Sequence, residues 1–366
     1  MLQIDEYQDD VNRNDDSMDE ENTNGSVSSF FYTDRCLPKH WLKTKKNSIE
    51  LSERTTTTTT PNEQPSMKLS TIAEMQNSIP KYMASFPTQL RLLTYRAVKQ
   101  TRGERISSAT IIAQLCFTVF ESVLWFRLKD DTNNIYRRNS LIFFFIIAQS
   151  NGLVTQSVPI FRRDRALVSR ERSKKMYRVL PYYFAKTMAE LTTSILLPMV
   201  HVGIVYFTAN LRPGAGPFFM FILLFYLTLT SAQSIGYIIS AALPSLQLAL
   251  IITPTITIFL LIMGGFYIPL PDIPPNIAWT KWLSYAAYGY SGLLINEYSG
   301  REIPCAEIVS ISIGGPLSEC PKSGEDVLNA LGVTGLLSHL WFNILMLIIL
   351  QLVCRWGAYV LLRRSP

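Results

Sequence analysis

From residue 106 onward the chain is organised by apolar runs of about 20 residues. Each run, at 1.5 Å per residue, is long enough as a helix to cross a hydrocarbon layer of roughly 30 Å. They cover 107–126, 139–161, 182–208, 217–242, 246–268 and 339–362. A soluble fold has no use for six of them. The pattern predicts an all-α polytopic membrane protein with six transmembrane helices. The 48% hydrophobic and 17% charged composition is therefore an average over two unlike regions, because most of the polarity lies before residue 106.

The net charge of +6 raises the possibility of nucleic acid. The Lys and Arg residues, however, gather at the ends of the apolar runs, as the positive-inside bias and anionic head groups require, and not on one soluble face. Nucleic-acid binding is excluded as a function class on that ground. The loop 162–178 carries eight basic residues, 209–216 carries one and 243–245 none. Placing the basic loop in the cytosol puts both termini there, in keeping with an even number of spans. The loop 127–138 runs against this, with Arg127, Lys129, Arg137 and Arg138, but four basic residues yield to eight. No basic n-region with a short apolar h-region opens the chain, so insertion is expected to rely on the first span.

Residues 1–25 hold nine acidic side chains and one Arg, and 55–60 are an unbroken Thr run before Pro61. Such a stretch buries too little apolar surface to offset its ordering entropy, so 1–85 is expected to be a disordered cytosolic arm. Its basic patch, Lys39, Lys43, Lys45 and Lys46, is either a solvated linker or a contact with the membrane surface. Residues 86–105 place Leu90, Leu93, Ala97 and Thr101 on one side of a helix, with Arg91, Arg96, Lys99 and Arg102 mostly opposite. That is an amphipathic helix suited to the interface.

The most specific segment is FRRDRALVSRERSKKMYRVLPYYFAK, 161–186, with Arg170-Glu171, Met176-Tyr177 and Leu180-Pro181-Tyr182. In TKWLSYAAYGYSGLLINEYSG, 280–300, stand Trp282, Tyr285, Tyr288-Gly289 and Asn296-Glu297, followed by Cys305, Cys320 and Gly324-Glu325. In order and spacing these resemble the G subfamily of ABC transporters, the White and pleiotropic-drug-resistance type, over 86–366. The resemblance implies an ABC-2 type transmembrane domain there, with a small outer segment, 269–338, linked by a Cys305–Cys320 disulfide before the last helix. A bridge closing a loop of that length contributes on the order of 3 kcal/mol.

The resemblance further implies that the loop forms a coupling helix pressing on an ATPase domain, with Asp164, Arg165, Arg170 and Glu171 as the contact set. A basic loop held at lipid head groups is the alternative. It implies a substrate path between two copies of the domain, lined by Gln149 and Gly152 on the second span and by Ile251, Pro254, Ile258 and Leu261 on the fifth. Ordinary helix packing is the alternative for each. The exit gate falls at Phe266-Tyr267, where the multidrug members carry a leucine pair, and Gly152 replaces an aromatic clamp. Both departures weigh against drug-type specificity.

Intramembrane acids are costly, so Glu121 and Glu190 are expected to face protein or water. Glu190 lies one turn after Lys186 and either pairs with it or matches the acidic position at the start of the family's third span. Pro198 removes a backbone bond to Ser194 and predicts a kink. His40, His201 and His339 stand far apart and offer no metal or acyl-transfer spacing, so a membrane-bound enzyme is a poor fit and no metal site is expected.

No G-x-x-x-x-G-K-[ST] segment occurs. ATP hydrolysis, with its ATP and Mg, is thus expected from a nucleotide-binding domain on a partner or on a further part of a longer chain. The chain itself is expected to be no enzyme and to carry no cofactor. The function implied is the transmembrane part of an exporter of lipidic or amphipathic substrates, with a second G-type half-transporter and membrane lipid as partners. The alternative is a non-transporting regulatory partner that dimerises with a full half-transporter.

Overall fold

The computed structural model describes residues 85–131, 134–163, 168, 170, 171, 176–302 and 323–364. They form an α-helical bundle: α1 Phe86–Arg105, α2 Ser108–Leu124, α3 Ile135–Ser157, α4 Val179–Thr208, α5 Ala215–Ala242, α6 Leu246–Ile262, α7 Tyr285–Tyr298, α8 Gly324–Ala330 and α9 Leu340–Arg364. Among the described residues no strand forms, and the one bridge joins Glu302 to Ser323.

Several helix starts are written locally. Ser107 accepts from the Thr110 amide at 3.2 Å, Ser245 from Leu248 at 3.2 Å and Ser284 from Ala287 at 3.1 Å, each satisfying an amide that the first turn leaves free. Ser323 and Asp326 form a reciprocal capping box on α8. Between α1 and α2 the chain bends by 64°. Gly265, at φ +92°, allows the turn that ends the α6 region, where a side chain would be strained.

Six helices fall on the six apolar runs. By length and composition α4, α5 and α9 are able to cross a membrane, and α1 with α2 qualify together as one bent pair. The 17-residue α6 is a shorter apolar helix. The outer faces of α9 (Trp341, Leu352, Trp356), α4 (Phe207) and α2 (Val119, Val123) expose large apolar side chains, a surface suited to lipid and not to water.

The bundle is built around α5, which packs against α3, α7 and α9. Small polar residues let it do so. Thr228, Ser231 and Ser234 are buried and return their hydroxyl hydrogens to carbonyls within α5, leaving little polarity to penalise burial. Towards α9, Ser231 also reaches the Leu347 carbonyl at 3.0 Å and Thr230 reaches Gln351 Oε1 at 2.9 Å. The helix α1 lies along α4, with Gln89, Ala97 and Thr101 buried. Every residue of α7 is buried, so this part of the predicted outer segment is packed among α5, α9 and α3. Its tyrosines find partners: Tyr285 shares a bond with Ser150 at 3.0 Å, and Tyr298 donates to Asn139 Oδ1 at 2.7 Å.

Candidate functional site

Among the described residues of the predicted loop, Glu171 reaches α1 with its carboxylate. Glu171 Oε1 accepts from Arg96 at 3.0 Å, and Glu171 Oε2 accepts from the Tyr177 hydroxyl at 2.6 Å. Beside them Gln89 Oε1 accepts from the Arg178 amide at 3.1 Å, and Tyr177 stacks on Tyr182 at 5.9 Å. Burial, reinforced by the bond to Glu171, raises the Tyr177 phenol above its ordinary value. Both Glu171 oxygens are therefore engaged within the chain. Arg170 is exposed, and Asp164 and Arg165 lie outside the described residues.

The residues predicted for a substrate path separate into two groups. Gln149 and Gly152 on α3 line a cavity of about 190 Å³ walled by α2, α3 and α4. Gln149 is only 7% exposed. On α6, Ile251, Pro254 and Ile258 are exposed, Ile251 at 70%, whereas Leu261 is buried. None of the four lines the cavity. At the predicted gate, Phe266 stacks on Phe143 at 4.4 Å, and the exposed Tyr267 meets the same ring edge-on at 5.4 Å. Cys305 and Cys320 lie outside the described residues.

The buried charges form two further groups. Glu297, at the end of α7, receives Arg138 at 2.5 Å, Arg301 at 2.9 Å and the Arg212 amide at 3.0 Å. Asp130 completes this cluster through Arg138 and Arg301, giving two arginines and two carboxylates. It ties the loop before α3, the start of α3, the turn between α4 and α5, and the end of α7. In the second group, His201 Nε2 on α4 stands 2.9 Å from Glu121 Oε2 on α2, both fully buried. Glu190, also buried, accepts from Ser194 one turn on at 3.0 Å.

A family model described as ABC-2 type transporter matches residues 88–298, from α1 to the end of α7. The chain belongs to the ABC-2 type transporter family. Among curated relatives, the ABC transporter G family member 1 of Dictyostelium discoideum is 27% identical over 271 residues, covering 72% of this chain and 33% of that protein. The ABC transporter ATP-binding protein/permease wht-1 of Caenorhabditis elegans is 29% identical over 282 residues, 77% of this chain and 42% of its own length. Protein white of Ceratitis capitata is 28% identical over 287 residues, 77% and 40% respectively. The chain thus spans between 33% and 42% of the length of these relatives.

As an ABC-2 type membrane domain, homologous to G-family and White transporters, the chain is an integral membrane component of a transporter. Two features of this ABC-2 domain escape a reading by sequence motif. Arg138 looks like a flanking charge, and its partner Glu297 lies 159 residues on. His201 appears isolated among histidines because its partner is an acid on another helix. The available signal was Glu121 itself, an acid inside an apolar run, for which a partner was required.

Proposed function

We propose that this chain is the transmembrane part of a G-type exporter of lipidic or amphipathic molecules. The reading rests on the ABC-2 domain match over 88–298. In it, all six apolar helices cross the membrane with both termini cytosolic, residues 1–85 form a cytosolic arm, and 86–366 form the transport domain. ATP and Mg act on a nucleotide-binding domain borne by a partner or by a further part of a longer chain.

The loop 162–178 presses on that domain through Asp164, Arg165 and Arg170. Glu171 anchors the loop, since Arg96 and Tyr177 already occupy both its oxygens. The exposed side of α6, with Ile251, Pro254 and Ile258, faces a second G-type half-transporter across the substrate path, and Phe266-Tyr267 stand at its exit. A Cys305–Cys320 bridge stiffens the outer segment.

Co-reconstitution of the full chain with an ATP-binding G-type half-transporter in vesicles tests this. The expected result is a co-purifying complex that moves a fluorescent phospholipid only when ATP is present. A complex without ATP-dependent flux would favour the regulatory partner, and no complex with any such half-transporter would remove the exporter reading.

A further inference from the structure

Arg355 is a cation inside the apolar run of α9, about two and a half turns before the helix ends at Arg364. The Tyr183 hydroxyl donates to its backbone carbonyl at 2.8 Å, which sets it level with the first turns of α4. It stands at the edge of the contact between α9 and α5. To one side Gln351 meets Thr230 on α5 and Ala358 is fully buried, while to the other Leu352 is 61% exposed.

The guanidinium is held without being neutralised. Its Nε donates to Ser234 Oγ at 3.1 Å, and the Tyr237 ring lies 5.8 Å from its central carbon. Among the described residues Nη2 is buried with no acceptor, and Nη1 makes no hydrogen bond either. No described carboxylate lies within ion-pair distance. The helices packed around it explain why: α5 and α9 contain no Asp or Glu, and α4 contains Glu190 alone, two turns beyond Tyr183 and engaged by Ser194. A cation in apolar surroundings is costly until a counter-charge reaches it.

We propose that Arg355 binds the phosphate of an anionic phospholipid, resident in the leaflet where α4 begins and seated at the edge between α5 and α9. The two Nη groups form the fork that phosphate oxygens match. Leu352 and the 70% exposed Trp356 offer apolar surface to the acyl chains. Arg363 and Arg364, exposed at the end of α9, add positive charge towards the head groups and favour a head of net negative charge. Free inorganic phosphate would give up its hydration beside Leu352 for a single cation, which selects the lipid as the source. This lipid is a fixed part of the outer surface of the bundle. The site is separate from the cavity between α2, α3 and α4 and from the exposed face of α6.

Native mass spectrometry of the delipidated full chain in detergent tests the proposal, with dioleoylphosphatidylglycerol, dioleoylphosphatidylcholine and dioleoylglycerol as probes. Phosphatidylglycerol is expected to bind at least about tenfold tighter than dioleoylglycerol, the effect of one charge-assisted hydrogen bond, with phosphatidylcholine weaker than phosphatidylglycerol. Arg355→Met should remove that preference, and excess inorganic phosphate should not displace the lipid. Phosphatidylglycerol should raise the melting temperature of the wild type and leave that of Arg355→Met unchanged. Without lipid, Arg355→Met should melt no lower than the wild type, because it removes a charge that lacks a partner.

The site would be overturned by phosphatidylcholine or dioleoylglycerol binding as tightly as phosphatidylglycerol, by displacement with inorganic phosphate, or by binding indifferent to a folded variant. A lower melting temperature of Arg355→Met without lipid would assign Arg355 a partner within the protein and overturn the site as well. If Arg355→Met does not fold, Arg355→Lys decides: it keeps the charge, loses the fork and should weaken phosphatidylglycerol severalfold. These measurements need neither ATP nor a partner chain, so their outcome is independent of the exporter reading.

Discussion

Glu121 Oε2 lies 2.9 Å from His201 Nε2, with both side chains wholly inside the bundle. The neighbour Thr118 fixes how the other ring nitrogen is used. Thr118 gives its single hydroxyl hydrogen to the Gln114 carbonyl at 2.7 Å, so His201 Nδ1, 2.8 Å from that same oxygen, is the donor. Nε2 and the carboxyl face each other at ion-pair distance without meeting hydrogen-bond geometry. The rings of Phe117 and Phe145 close around the imidazole at 5.6 and 6.0 Å. His201→Leu leaves the Glu121 carboxyl buried without this partner and should cost about 3 kcal/mol. Glu121→Gln should cost less than about 1 kcal/mol, since a carboxamide N–H can donate to Nε2. Thermal melts in detergent compare the two, and equal losses would show that the buried carboxyl does not depend on His201.

Arg138 and Glu297 are the second such pair, 2.5 Å apart and both buried. Because Arg138 also reaches the Leu128 carbonyl at 3.0 Å, the pair holds α7 against the start of α3 and the preceding loop. Glu297→Gln leaves two arginines facing one carboxylate and should cost about 3 kcal/mol. Arg301 is partly exposed, and Arg301→Ala should cost about 1 kcal/mol or less. Unfolding of the purified chain in detergent checks the ranking. Arg301→Ala as damaging as Glu297→Gln would show that the cluster is not centred on Glu297.

How far this was legible in the sequence depends on how local the cause is. The helices α2 and α6 begin where Ser107 and Ser245 cap them, next to the apolar runs that reveal them. For α3, the run begins at 139, yet the helix begins at Ile135, because Arg138 is buried against a residue far along the chain. Composition alone would have left that arginine outside the helix. The α7 segment carries four tyrosines and reads as an outer segment. Its burial depends on Ser150 and Asn139, which no local pattern announces. Likewise nothing local to Gln149 shows which helices it meets: it lines a cavity together with residues of α2 and α4, and the exposed face of α6 lies elsewhere.

Where α7 crosses α5, Gly289 faces Thr228. A Cβ at Gly289 would overlap Thr228 Oγ1 and fall 2.5 Å from its Cγ2. Thr228 is fully buried and bonded to the Leu224 carbonyl at 2.7 Å, so it has little freedom to retreat. Gly289→Ala should therefore destabilise by about 1–3 kcal/mol through overpacking. Thr228→Ala in the same chain removes both clashing atoms and should restore most of the loss. A double-mutant cycle on melting in detergent measures the coupling, and additive losses would contradict the close approach.

The Arg96, Glu171 and Tyr177 clasp separates stability from coupling. Arg96 is 52% exposed and Glu171 17%, so the ion pair should contribute no more than about 1 kcal/mol, and Glu171→Lys should shift melting only slightly. It nevertheless places a cation against Arg96 and removes the acceptor of Tyr177, freeing the loop from α1, so ATP-dependent flux should fall steeply. The exchanged variant, Arg96→Glu with Glu171→Arg, restores the opposite charges across the same gap and should recover much of that flux. Failure of the exchange, with the loop still folded, would point to Glu171 acting on another chain. The phenol supplies a pH readout. Because the Tyr177 value is raised in the folded chain, its bond to Glu171 is fully present below the ordinary phenol value of about 10 and is lost as pH rises through the higher folded value. Subtracting the Tyr177→Phe titration from the wild type at 295 nm should thus show no phenolate from this residue below about pH 10. An earlier rise would mean that the clasp is open.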